Sequence, residues 1–194
     1  MEKKFIILIL FITLLLGCEK NYTPKPRGFF RISFPEKTYI KFDSNKFPYQ
    51  FEIPQYSEIL HKKNNDGLFD INISFPDNKA DIHITYKKIS ENSGLEKLEY
   101  LLEDSRTLAY KHSIKADAIE ERLFINPASK VYGTIYLIEG NAASPMQFYL
   151  TDSVKHFLRG SFYIRDIPDI DSLRPVIEFI ETDIIRLIET TSWN

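Results

Sequence analysis

The stretch FDINISFPDNKADIHITY, residues 69 to 86, decides how the chain is read. From Phe69 to Phe75 apolar and polar residues alternate without a break, and the alternation resumes from Ile82 to Tyr86. A period of two sends successive side chains to opposite faces of a strand. Between the runs, Pro76-Asp77-Asn78-Lys79 supplies residue types that make turns. The pair reads as an antiparallel hairpin with one buried face. Asp70, Asn72, Ser74, His83 and Thr85 share the other face, which is solvated or lightly covered.

Outward from this hairpin the same signal recurs. Arg31 to Phe34 and Tyr49 to Ile53 alternate, and a second series of strands is expected at 118–126, 130–139, 146–151 and 156–164. Two helices interrupt the strands. Ser93 and Glu96 have the spacing of a capping box ahead of Leu95, Leu98, Leu101, Leu102, Leu108 and Ala109. The last helix starts near Asp171 or Ser172, with Leu173, Val176, Ile177, Ile180, Ile184, Leu187 and Ile188 as its apolar stripe. Pro175 then falls in its first turn, where a missing N–H is tolerated. Strands in runs, rather than strict βαβ alternation, indicate an α+β fold: a mostly antiparallel β-sheet flanked by two main helices. The order of elements resembles the Mog1/PsbP-like sandwich.

With 194 residues, 43% hydrophobic and 14% aromatic, the chain has material for one domain with a sizeable core. A net charge of −2 without long runs of either sign gives no reason to expect nucleic acid as a partner. The N-terminus is different in kind. Lys3 and Lys4 precede an apolar run from Phe5 to Leu16, broken only by Thr13. That is too short to span a bilayer, which takes about 20 helical residues, and fits the h-region of an export signal. Leu15-Leu16-Gly17-Cys18 looks like a bacterial lipobox, in which the thiol is joined to diacylglycerol before cleavage ahead of it. An ordinary signal peptide, or an anchor helix, with an incidental cysteine is the plainer alternative. The lipoprotein resemblance also implies a second acyl attachment, and more than one acyl chain gives stable anchoring. Residues 1–17 are thus expected to be a lipoprotein signal peptide, 18–28 a lipidated tether stiffened by Pro24 and Pro26, and 29–194 a single α+β domain. Cys18 is the only cysteine, so no disulfide is expected.

Few constellations point to chemistry. His61, His83, His112 and His156 are 22, 29 and 44 positions apart, and none has a second histidine or cysteine at ligand spacing. No metal and no cofactor are expected. His61 sits before Lys62-Lys63 in an expected turn, and His112 near a helix end whose dipole favours a cation. Asp152, His156 and Ser161 have the residue types of a nucleophilic triad without a nucleophile elbow, and Asp152 to Lys155 reads as a hairpin turn. Asp166, Asp169 and Asp171 suit a helix start better than a calcium loop. The set Arg27, Gly28, Phe29, Phe30 and Arg31 is a candidate partner-binding surface. In a strand the adjacent Phe29 and Phe30 point to opposite sides, so one of them is covered by a helix of this chain or by a partner.

The opening of the mature chain, NYTPKPRGFFRISFPEKTY after Cys18, resembles the gliding motility lipoproteins called GldD in the Bacteroidetes. The likeness is most specific over residues 22–39, at Pro24, Lys25, Pro26, Arg27, Gly28, Arg31, Pro35 and Glu36. PDNKADIHITYK and FYLTDSVKHFLRGSFYI agree with it downstream. The resemblance implies an envelope lipoprotein needed for surface gliding and associated with the type IX secretion apparatus. It implies no enzymatic activity and no cofactor, and it carries over one functional residue, Cys18. The expectation is a non-catalytic component anchored in the outer membrane and facing the periplasm. Its partners would be the membrane and other gliding and secretion proteins, with no small-molecule substrate. The alternative is a periplasmic ligand-binding or enzymatic lipoprotein acting on lipid or peptidoglycan, resting on polar residues such as His83 and His156. A passive anchor joining a membrane to a scaffold is a third reading.

Overall fold

A computed structural model describes Gly28 and residues 31–42, 46–63, 69–89, 94–165 and 170–194. The chain divides into a unit of Met1–Arg31 and a larger one of Ile32–Asn194. All strands and helices named here lie in the larger unit.

The hairpin forms as its alternation dictates. Strand β4 (Phe69–Phe75) pairs antiparallel with β5 (Ala80–Lys88), with Ile73 opposite Ile82 and Asn72 opposite His83. A 3-10 turn over Pro76–Asn78 joins them, and Lys79 closes it in the left-handed region at φ 50. The turn is tight because the Lys79 N–H reaches back to the Pro76 carbonyl at 3.2 Å.

Around this hairpin a seven-stranded, wholly antiparallel sheet assembles. Its other strands are β3 (Glu58–Lys63), β6 (Ala116–Asn126), β7 (Val131–Gly140), β8 (Met146–Thr151) and β9 (His156–Ile164), in the spatial order β3-β4-β5-β9-β8-β7-β6. A smaller sheet pairs β1 (Tyr39–Phe42), β2 (Tyr49–Pro54) and β10 (Ser192–Trp193) in the order β1-β2-β10. Helix α1 (Gly94–Tyr110) follows β5, and α2 (Ile170–Thr190) follows β9.

The sheet's two faces are covered differently. One face packs Ile71, Ile73, Ile82, Ile84, Phe148 and Phe162 against Val176, Ile180, Ile184 and Leu187 of α2 and against Tyr49, Phe51 and Ile53 of β2. At Gly160 this face has no room for a side chain: a Cβ there would lie 2.1 Å from the Phe148 ring. On the opposite face a smaller cluster joins Leu98 and Leu101 of α1 to Ile89 and Phe157, with Tyr149 stacked on Phe157. Burying each of these large apolar side chains contributes about 1.5–3 kcal/mol.

Several local expectations are corrected. Residues 31–38 are not a strand. Instead Phe34 stacks on Phe179 of α2 at 4.3 Å, and Lys37 sits 3.9 Å above the same ring. Pro35 lacks the N–H that a ladder needs, and the salt link of Lys37 to Asp183 at 2.6 Å ties this segment to the helix. His61-Lys62-Lys63 is no turn but the end of β3, paired with Ile71, Asp70 and Phe69. Helix α2 begins at Ile170, so Pro175 stands in its second turn and leaves the Asp171 carbonyl without its helical N–H. Leu95, placed in the apolar stripe of α1, is exposed. The capping residue Ser93 lies outside the described residues.

Candidate functional site

Beside the first half of α2, at the ends of β6 and β7, lies a cleft of about 460 Å³. That is within the size range of ligand and peptide pockets. Leu137, Ile138, Pro145 and Ile177 give it an apolar floor. Its rim carries five carboxylates, from Asp117, Glu120, Glu139, Glu178 and Glu181, against two guanidiniums, from Arg122 and Arg174. The geometry of the strand ends builds this rim. A bulge interrupts the β6–β7 register between Ala116 and Ala118, opposite Gly140, which adopts φ 95. A side chain at Gly140 would press on the Asp117 backbone nitrogen at 2.8 Å, so glycine is needed where Asp117 turns toward the cleft.

The charges are unevenly compensated. Arg122 donates two hydrogen bonds to Glu120, at 2.7 and 2.9 Å, and Arg174 lies 3.7 Å from Asp171. Glu181 is half-buried. Burial pushes its carboxyl above the usual range, Arg122 pulls it back and Glu178 pushes it further up. An acidic rim over an apolar floor suits a cationic or amphipathic group. Among the described residues, no three His, Cys, Asp or Glu side chains could together hold a metal ion.

On the opposite flank of α2 a buried carboxylate organises the N-terminal segment. Asp183 is 1% exposed and accepts hydrogen bonds from Lys37 Nζ (2.6 Å), Tyr39 OH (2.8 Å) and Tyr56 OH (2.6 Å). Lys37 also donates to the Phe179 carbonyl at 2.7 Å. Burial and the bond to Asp183 push the Tyr39 hydroxyl up to about 12, and the same causes push Tyr56 higher still. Both hydroxyls stay protonated and donate, so the network ties the segment around Lys37 and Tyr39 to α2.

A model of the gliding motility lipoprotein GldD family matches residues 19–193. The chain belongs to that family. A comparison with curated proteins returned no match. Among solved structures the chain is similar to cyanobacterial PsbP (CyanoP) from Synechocystis sp. PCC 6803, determined in solution. The identity is 11%, the match covers 88% of this chain and all of that one, and the TM-score is 0.50. At that identity the likeness speaks for the fold alone, and the α+β sandwich expected of the sequence is the fold seen.

In this member of the GldD family the residues singled out from sequence disperse. Cys18, Arg27, Phe29 and Phe30 lie outside the described residues, while Gly28 and Arg31 are exposed. Asp166 and Asp169 also lie outside, and Asp171 is exposed beside Arg174. Asp152, His156 and Ser161 form no triad. The Asp152 Oδ1 accepts the N–H groups of Val154, Lys155 and His156 at 2.8–3.0 Å, as a turn residue does. His156 and Ser161 are five positions apart on β9, so they project from opposite faces. His156 bonds to Tyr86 OH at 2.8 Å and stacks on Trp193, and His83 packs edge-on to Tyr163. His112 is not held as a cation. Burial lowers its pKa, and Arg159 lowers it further.

The cleft itself was invisible in the sequence. Glu120, Glu139 and Glu181 come from two strands and a helix, and read singly they look like ordinary solvated charges. Only the excess of acids on β6 could have flagged it.

Proposed function

We propose that this chain is a lipid-anchored accessory component of the gliding machinery that works in the type IX secretion context without catalysis of its own. Residues 1–17 would be removed as a signal peptide, Cys18 acylated, and 18–28 would serve as the tether of the folded unit. The outer membrane, with the protein facing the periplasm, is the site this reading favours. One observation carries it: the family match begins at Glu19, directly after a cysteine preceded by Leu15-Leu16-Gly17. The folded unit adds support of a different kind, since it carries an acidic, apolar-floored cleft suited to holding another chain.

The test is Cys18→Ser in the native organism. The variant is expected to leave the membrane fraction and to abolish surface movement. A Cys18→Ser protein that is still processed and membrane-bound would refute the anchor. A deletion that leaves both movement and secretion intact would refute the role in the machinery.

A further inference from the structure

Among the described residues, strand β6 is the last strand of the large sheet and pairs only with β7. Along its 11 residues the outer backbone edge thus meets no other described strand, while the opposite edge strand, β3, has 6 residues. An open edge invites another chain, and proteins commonly blunt such edges with charge, proline, bulges or brevity. The sequence ADAIEERLFIN has neither lysine nor proline, and its bulge lies at its first residues, between Ala116 and Ala118, so the stretch from Ile119 to Asn126 keeps regular strand register. Instead its two faces are differentiated. Leu123 and Ile125, on the face toward α1, are 78% and 66% exposed. Glu120 and Arg122, on the other face, line the acidic cleft against α2.

We propose that β6 is a strand-addition site for an extended segment of a partner protein. Basic residues at alternate positions of that segment would enter the cleft, and apolar residues between them would cover Leu123 and Ile125. Main-chain hydrogen bonds to the open edge would supply much of the affinity, and the alternating side chains the specificity. The charge of the cleft, five acids against two arginines, selects a basic occupant. It also disfavours a second copy, because a two-fold pairing centred on β6 sets Glu121 opposite Glu121 and brings two acidic clefts together. This deepens the accessory role proposed above, yet the edge and its chemistry do not depend on the lipid anchor.

The probe is a synthetic peptide of the length of β6 that alternates lysine with valine, and its control replaces lysine by glutamate. Binding to the full-length chain in detergent micelles is read by fluorescence anisotropy and by hydrogen exchange of β6 amides. The lysine peptide is expected to bind, to protect β6 amides and to weaken with salt, and the glutamate peptide to fail. The double substitution Glu139→Lys with Glu178→Lys, at two exposed rim positions, is expected to lower affinity about tenfold. Leu123→Ser with Ile125→Ser should weaken binding without changing its salt dependence. Failure of the lysine peptide to bind, equal binding of both peptides, or protection elsewhere than β6 would overturn the proposal. So would dimerisation of the chain alone that Leu123→Ser abolishes. None of these outcomes bears on whether Cys18 anchors the protein.

Discussion

Lys37 Nζ lies 2.6 Å from the buried Asp183 Oδ1, a contact between residues 146 positions apart. It joins the segment that precedes β1 to the C-terminal helix. The carboxylate is desolvated, so its charge is tolerable only because Lys37, Tyr39 and Tyr56 all donate to it. The family-like residues Pro35 and Glu36 thus directly precede a lysine that ties this segment into the fold.

Asp183→Ala should therefore be among the most damaging single changes, costing about 3–5 kcal/mol, because it removes the acceptor of two tyrosine hydroxyls and the counter-charge of Lys37 together. Lys37→Met should cost less, about 1–3 kcal/mol, since two donors to the carboxylate remain. Urea unfolding followed by circular dichroism gives both values. Equal and small effects would mean that the segment is not integral to the folded unit.

Gly160→Ala should destabilise by about 1–3 kcal/mol or more, because the new methyl meets the Phe148 ring inside the core. Phe148→Leu alone should also destabilise, but the two substitutions together should cost less than the sum of their separate effects. Additive losses in a double-mutant cycle would contradict this packing.

Acid should weaken the fold through its histidines. Burial lowers the pKa of His156, with Asp152 raising it and Lys155 and Lys88 lowering it, and burial together with Arg159 lowers that of His112. Each is neutral in the folded chain at pH values where the unfolded one binds a proton. The stability they contribute is thus present above the ordinary value of 6.5 and is lost as pH falls through the folded-state values. Glu181 has the opposite sign, because its raised pKa favours the folded state below its ordinary 4.5. Urea midpoints on either side of pH 6.5 should differ for the native chain, and the difference should shrink in the His112→Gln, His156→Gln double variant.

Much of this architecture could be read from residue order alone, and the failures have identifiable causes. The hairpin of β4 and β5 was legible because one face is wholly apolar and the other wholly polar. The β6–β9 series was legible as well, its ends falling within two residues of expectation, although these strands carry apolar residues on both faces, toward α2 and toward α1. The segment 31–38 misled because Arg31 to Phe34 alternates like a strand, while its partner is a helix 142 or more positions away. His61 to Lys63 looked like a turn because charge obscured a strand whose pairing is supplied by β4. The cleft depends on a bulge at Asp117 and on the approach of α2, neither of which has a local signature.

The central claim is that the folded unit works from a membrane to which Cys18 binds it. The most direct measurement is the intact mass of the chain extracted from native membranes. The expected species begins at Cys18 and carries a diacylglycerol and a further acyl group. An unmodified cysteine, or a chain cut elsewhere, would contradict the account.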